Sequence, residues 1–330
     1  MERELTVSLS PHQHSGASVK RCMWNVVGAL LPTVSVGIWV FGLPALWVVL
    51  LSIAGCLGTE YLIDRWMGRK STLTDGSALI TALLLACNLP AILPWWMVII
   101  GSIVAIGIGK MSFGGLGTNI WNPALVGRVF LLISFPAAMT TWPKGVSAGI
   151  HAITGASTYA DAETGATFLA QYNADWAAGT QVHVDLVDML TGQINGSLGE
   201  VGAIAILIGL VWLLLARVIT WHIPVSVLVG AAALSAALGC NPLYDLLSGG
   251  LLLGAVFMAT DYVTSPTTHR GQIIFGLMIG FITIIIRRFG AYPEGMSFAI
   301  LLMNSCVPLI NHYCKPRRYG HGKSRKEVKA

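Results

Sequence analysis

Polar and apolar positions in this chain alternate on a long wavelength. Apolar stretches of 15 to 21 residues are divided by short polar breaks and fall into two groups. The first group covers 24–42, 43–63, 77–92, 94–109 and 122–138; the second covers 201–219, 223–239, 246–260, 271–286 and 295–312. A helix rises about 1.5 Å per residue against a hydrocarbon core of about 30 Å, so about 20 apolar residues make one span. The pattern predicts an all-α polytopic membrane protein with about ten transmembrane helices. Two stretches are interrupted, 77–92 by Asn88, Leu89 and Pro90, and 122–138 by Arg128.

The two groups echo one another. Leu73-Thr-Asp-Gly-Ser-Ala-Leu is matched by Tyr244-Asp-Leu-Leu-Ser-Gly-Gly-Leu, and Lys110-Met-Ser-Phe-Gly-Gly by Arg287-Arg-Phe-Gly-Ala. Pro94 and Pro266 fall into the same register. Five spans are an odd number, so a second copy would sit upside down relative to the first. Inverted repeats with broken helices are an architecture of translocators, with sites near the midplane. The competing explanation is that Gly- and Leu-rich segments resemble one another by composition alone. The expected organisation is a cytoplasmic segment 1–21, a five-helix repeat 22–138, an external loop 139–199, a second five-helix repeat 200–312 and a basic cytoplasmic tail 313–330. Residues 1–20 are polar without an apolar centre, so no cleaved signal peptide is expected there.

Composition sharpens this picture. Charged residues make up 11% and hydrophobic residues 55% of the 330, with a mean hydropathy of +0.71; soluble domains carry about 25% charged residues. A soluble enzyme and a disordered chain are excluded. The net charge of +5 is a property of the tail, because Lys315–Ala330 alone carries +6 and the remainder −1. A nucleic-acid partner is therefore not expected. With the N-terminus placed in the cytoplasm, 16 of the 20 Lys and Arg residues fall on the inner side. That satisfies the positive-inside bias and puts both termini in the cytoplasm. Arg287 and Arg288 are the exception, together with Lys144 in the external loop. The eleven Trp residues fit interfacial belts.

Met139–Gly199 is too polar to span and carries a net charge of −4. A polar connection of this length is more often functional than idle. Within it, Asp161-Ala162-Glu163-Thr164-Gly165-Ala166-Thr167 matches the pattern Asp-x-x-(Ser/Thr)-Gly-Ala-Thr that flavin transferases recognise. Small residues admit a transferase to the backbone, Gly165 permits a tight turn, and the Thr167 hydroxyl is the nucleophile. The plain alternative is a Gly/Thr turn in a polar loop. An upstream copy, Thr154-Gly-Ala-Ser157, has His151 in place of the acid and reads as loop sequence.

The motif resembles that of the NqrB/RnfD family, the membrane flavoproteins of the sodium-pumping NADH:quinone reductase (NqrB) and of the Rnf complex (RnfD). The resemblance continues through Ser71–Leu85, Gly117–Phe130, Gly196–Glu200 and Phe257–Thr268, covering most of residues 20–312. The chain is more similar to RnfD, since NqrB has a longer N-terminal extension. The resemblance implies that Thr167 carries FMN through a phosphoester, transferred from FAD by a flavin transferase. It also implies an inner-membrane electron-transfer protein that works with the other subunits of its complex. That complex couples ferredoxin and NAD redox chemistry to Na⁺ or H⁺ movement. Phe168 departs from the family, which has a small residue or Pro after the Thr.

Other polar residues at membrane depth are candidates by default, because burying them unpaired is costly. Asp75 (with Thr74) and Asp261 lie at predicted span ends, as helix caps or as flavin or ion contacts. Asp245 reads as a cap. Arg128, preceded by Asn119, Asn122 and Pro123, calls for a phosphate, carboxylate or carbonyl partner, in an FMN or in the protein. The hydroxyl run Thr264-Ser265-Pro266-Thr267-Thr268 suits a second, non-covalent flavin such as riboflavin. The six cysteines lack metal-ligand spacing, and no iron–sulfur cluster held by this chain alone is expected. A stand-alone inverted-repeat transporter is the rival reading, and it has no need of the Asp161–Thr167 motif.

Overall fold

The computed structural model describes residues 18–69, 71–143, 164–165, 168–178, 189–190, 196–290, 292 and 294–315. Their architecture is helical. The first group of apolar stretches becomes α1 (Val19–Phe41), α2 (Leu43–Trp66), α3 (Ser77–Cys87), α4 (Trp95–Ile103) and α5 (Pro123–Ser134), with α4 running into a π turn at Val104–Ile108. A short α6 (Pro136–Met139) leads to β1 (Trp142–Pro143) and β2 (Thr164–Gly165), and α7 spans Phe168–Ala178. The second group becomes α8 (Ala203–Leu215), α9 (His222–Ala237), α10 (Pro242–Leu247), α11 (Leu251–Leu253, continuing as a π turn at Gly254–Met258), α12 (His269–Phe289) and α13 (Met296–Tyr313).

Local sequence explains where these elements start and stop. Ser18 caps α1 by accepting from the Arg21 amide at 3.2 Å. Two helices open on Asn-Pro: Asn122 and Asn241 each accept the amide two residues on, at 3.1 Å, and the proline that follows needs no donor. The predicted stretch 77–92 is helical only to Cys87. Asn88 Nδ2 donates back to the Leu84 carbonyl at 2.6 Å, and Pro90 cannot extend the ladder. The buried C-terminal end of α3 is completed by the segment before α8: Gly199 N donates to Cys87 O at 2.7 Å and Leu198 N to Leu89 O at 3.4 Å. Non-helical backbone at membrane depth is tolerated where protein satisfies it in this way. A Cβ on Gly199 would lie 2.5 Å from Cys87 Cβ, so the close approach needs glycine there. The stretch 122–138 breaks at Phe135-Pro136, and 246–260 breaks at Ser248-Gly249-Gly250.

Among the described residues, four helical segments are long and apolar enough to cross a membrane: Val19–Phe41, Leu43–Trp66, Trp95–Phe113 and His269–Phe289. Of the other described helices, α3, α5, α8 and α9 are apolar but shorter, α3 and α5 because of the breaks just described. One hydrophobic core joins both groups through residues such as Leu30, Leu85, Leu125, Ile206 and Phe275. α1 packs on α8, α2 on α3 and α4, and α9 along α12. The outward faces are apolar as well, with Leu62 66% and Leu215 79% exposed. A chain apolar on both its inner and outer faces is a membrane protein. The all-helical expectation holds, with one two-residue antiparallel pair β1–β2 setting Trp142 opposite Gly165 and Pro143 opposite Thr164.

Candidate functional site

Of the loop motif, Thr164 and Gly165 are among the described residues. Asp161, Ala166 and Thr167 lie outside the described residues. Thr164 and Gly165 form β2 and are tied by their backbone to Trp142 and Pro143, just beyond α6. Phe168, next in the chain to Thr167, opens α7. That helix presents Leu169, Tyr172, Asn173 and Trp176 at i, i+3, i+4 and i+7, one helical face. Leu169 and Tyr172 are buried at 1% and 7% exposure, although this short helix lies within the polar stretch 139–199. The Tyr172 hydroxyl accepts from the Asn241 amide at 2.8 Å, and burial pushes its pKa up from the ordinary tyrosine range. Asn173 Nδ2 donates to the Arg287 carbonyl at 2.9 Å, and Arg288 Nη1 donates to Asn173 Oδ1 at 2.6 Å. The Arg288 guanidinium lies 4.7 Å from the Tyr172 ring centroid and 5.3 Å from that of Trp176, within cation–π range.

Behind α7 lies a buried chain of charges. Asp245, expected as a helix cap, is instead fully buried and salt-bridged, the cap of α10 being Asn241. Both Asp245 carboxylate oxygens accept from Arg288 Nη2 at 2.8 Å, and Ser235 Oγ donates to Oδ2 at 2.6 Å. Arg287 is 2% exposed and donates to the carbonyls of Asp245 and Ser248 at 2.6 and 2.9 Å. The exception to the positive-inside pattern thus has a physical reason: Arg287 and Arg288 are internal ion-pair partners, not free loop charges. Glu200, 4% exposed, faces Arg287 and Arg128 and accepts from the Ser197 amide at 3.1 Å. Arg128 in turn pairs with Glu294 and donates to Ser297 Oγ.

Gly249 makes this crowding feasible. Its φ is +68°, and a Cβ there would lie 2.6 Å from Arg287 Nη2 and 3.1 Å from Leu169 Cδ2. Gly249→Ala is expected to cost about 1–3 kcal/mol through backbone strain and displacement of the arginine. Gly250 has nothing within 4 Å of a Cβ, so Gly250→Ala serves as the control. Thermal unfolding in detergent should show a lower midpoint for the first variant and little change for the second.

A small cavity of about 20 Å³ opens beside β1, lined by Arg128, Leu132, Met139, Thr140, Trp142, Tyr292 and Glu294. Arg128 Nε makes no hydrogen bond there. Two aromatic rings and a buried guanidinium with a spare donor match the chemistry of a flavin edge and phosphate. The volume holds about one water and not a ring system, so the cavity does not enclose a flavin.

Asn119, Asn122 and Asp261 meet elsewhere. They line a cavity of about 80 Å³ at the opposite end of α5, together with Met23, Ser77, Lys110, Thr260 and Tyr262. The structure therefore brings Asn119, Asn122 and Asp261 together and keeps Arg128 apart from them. Asn119 Nδ2 donates to the Trp121 carbonyl at 3.1 Å, and Asn122 Nδ2 donates to the Met258 carbonyl at 3.3 Å while its Oδ1 caps α5. Asp261 Oδ2 accepts from Thr264 Oγ1 at 3.1 Å. Thr268 caps α12, its Oγ1 accepting from the Gly271 amide at 3.2 Å, so the hydroxyl run is partly occupied within the protein. Asp75 Oδ1 accepts from the Ser77 amide at 2.8 Å at the start of α3.

Nearby stands a cluster that its residues' positions in an apolar stretch did not single out. Glu60 and Asp64, one turn apart on α2, are 0% and 2% exposed. Lys110 Nζ donates to Glu60 at 2.8 and 3.0 Å and to Ser77 Oγ at 2.7 Å; Thr72 Oγ1 donates to Glu60. Two acids at i, i+4, Glu60 inside the predicted span 43–63 and Asp64 just beyond it, are the signal that marks such a pair in sequence. Among the described residues no group of His, Cys, Asp and Glu has the arrangement of a metal site, and Cys22, Cys56, Cys87, Cys240, Cys306 and Cys314 are free thiols.

Comparison with known proteins agrees with this architecture. The model of the NQR2, RnfD, RnfE family matches residues 6–320. Over the whole chain, 43% of residues are identical to the D subunit of the Na⁺-translocating ferredoxin:NAD⁺ oxidoreductase complex of Acetobacterium woodii, 99% of which is covered. The D subunit of the proton-translocating ferredoxin:NAD⁺ oxidoreductase complex of Clostridium ljungdahlii is 41% identical, with 96% of each chain covered. The D subunit of an ion-translocating oxidoreductase complex of Stutzerimonas stutzeri is 42% identical, over 92% of this chain and 93% of its own. These relatives are subunits of a redox enzyme complex, and a match over nearly the full length carries the assignment: the chain belongs to the NQR2, RnfD, RnfE family.

Proposed function

We propose that this chain is the membrane flavoprotein subunit of an Rnf-type ion-translocating ferredoxin:NAD⁺ oxidoreductase, with FMN bound covalently to Thr167. The observation that carries the reading is the Asp161–Thr167 motif, whose Thr164 and Gly165 form β2 and whose last residue immediately precedes α7. β2 is paired to β1 on one side, and α7 is bonded to the bundle on the other. A tethered electron carrier works only where its distance to the next centre is fixed, and these flanks supply the fixing. When bound, FMN supplies the redox chemistry; the protein supplies position and polarity. Leu169, Tyr172, Asn173 and Trp176 seat the segment after Thr167. Arg128, Trp142 and Tyr292 offer a cationic and aromatic wall beside the segment before it.

The reading includes ten membrane crossings in two inverted five-helix repeats. Its support is equivalent packing: α2 on α4 parallels α9 on α12, and α4 on α5 parallels α12 on α13. Both termini are cytoplasmic and 139–199 external. A second, non-covalent flavin such as riboflavin is part of the reading, near the hydroxyl run Thr264–Thr268 beside Asp261. Maturation needs a flavin transferase, and turnover needs the other subunits. An NqrB-type component of a quinone reductase is the second reading, and copurifying partners separate the two.

The functional test uses the assembled complex in membrane vesicles. Thr167→Ala is expected to abolish ferredoxin-dependent NAD⁺ reduction and the coupled ion uptake while leaving complex assembly intact. Wild-type rates in that variant would overturn the proposal.

A further inference from the structure

We propose that Arg288 is a positioning residue that clamps α7 to the bundle and so fixes the segment bearing the flavin threonine. The inference deepens the flavoprotein reading and rests on it for its functional meaning. The geometry is local and complete. One Arg288 nitrogen donates to Asn173 Oδ1 at 2.6 Å, the other holds both oxygens of Asp245 at 2.8 Å, and the guanidinium plane contacts Tyr172 and Trp176. The fork of a guanidinium reaches a carboxylate and an amide oxygen at once, whereas an ammonium is a point charge without that fork or the stacking plane.

Three features indicate that the clamp serves α7. First, its α7-side partners are three residues of one helical face, at 172, 173 and 176, and Leu169 on the same face is buried against Gly249. Second, Asp245 is also neighboured by Arg287, at 3.8 Å, and bonded by Ser235, so its charge is not left to Arg288 alone. Third, α7 begins at Phe168, immediately after the proposed attachment residue. A helix of 11 residues is marginal in isolation, so its order depends on tertiary contacts such as these. Among the interactions described, Arg288 supplies both a charged hydrogen bond and the aromatic stacking, and removing it loosens the first turns of the helix.

The test compares Arg288→Lys and Asn173→Ala with the wild-type complex. Arg288→Lys keeps a cation beside Asp245 while losing the fork and the plane; Asn173→Ala leaves the buried ion pair untouched. Both are expected to raise amide hydrogen exchange across 168–178 about tenfold, with exchange in α12 unchanged. Both are also expected to lower the fluorescence anisotropy of the covalent flavin, its loading remaining at the wild-type level. The same exchange measurement on the flavin-free Thr167→Ala chain isolates the clamp from the cofactor. A wild-type chain that takes no flavin defeats the flavoprotein reading, while exchange still decides whether Arg288 docks α7. Wild-type exchange across α7 in both variants overturns the clamp, as does unchanged anisotropy in loaded variants.

Discussion

Lys110→Met should lower stability by about 3–5 kcal/mol, because it strips a buried carboxylate of its counter-charge. Glu60 is 0% exposed and takes two Lys110 bonds at 2.8 and 3.0 Å. In the variant Thr72 is left as its bonded donor, and Asp64, a second buried acid one turn along α2, lies alongside. The pair ties α2 to the end of the α4 segment and, through Ser77, to the start of α3, so its loss acts on three elements. The double variant Glu60→Gln/Lys110→Met removes both charges and should recover much of the deficit, because an apolar or neutral replacement of both partners is often close to neutral. Thermal unfolding of the four proteins in one detergent measures this cycle. Additive losses would show that the pair does not couple.

Arg128→Ala is the second large effect, again about 3–5 kcal/mol. The guanidinium joins α5 to α13 through Glu294 and Ser297 and also faces Glu200. Its removal leaves one buried carboxylate without a cation and a second with Arg287 alone. Arg128→Met/Glu294→Met takes out the pair and should fold better than Arg128→Ala. That double variant separates a structural arginine from a flavin contact. If the wall beside β1 touches the flavin, the folded double variant will keep covalent flavin yet show a displaced visible absorption band. An unchanged band in a folded double variant would leave Arg128 its structural role alone.

Much of this molecule is legible in its sequence, for identifiable reasons. Every predicted apolar stretch falls on helix, since a run of such residues has few other solutions in a bilayer. The break at Asn88-Leu89-Pro90 follows from proline; the second falls at Phe135-Pro136 rather than at the expected Arg128, through which α5 runs unbroken. Their consequence, helices shorter than a full span, depends on partners such as Gly199 that lie far away in sequence. Ion pairing is the least legible part. Asp245 reads as a cap because it follows Asn241 and Pro242, and only the return of α12 beside it shows Arg287 and Arg288 as its partners. Likewise Asn119, Asn122 and Arg128 share ten residues of sequence, yet they face cavities at opposite ends of α5. The docking face of α7 at 169, 172, 173 and 176 has helical spacing, but the helix has only 11 residues and lies within an acidic loop.

The functional reading turns on a phosphoester between FMN and one threonine, which peptide mass spectrometry detects without an activity assay. The chain is coexpressed with a flavin transferase, digested, and its loop peptides sequenced. The expected result is a mass increment of one FMN less one water on Thr167, absent from the Thr167→Ala chain. An unmodified Thr167 in a complex that still transfers electrons from ferredoxin to NAD⁺ would refute that reading.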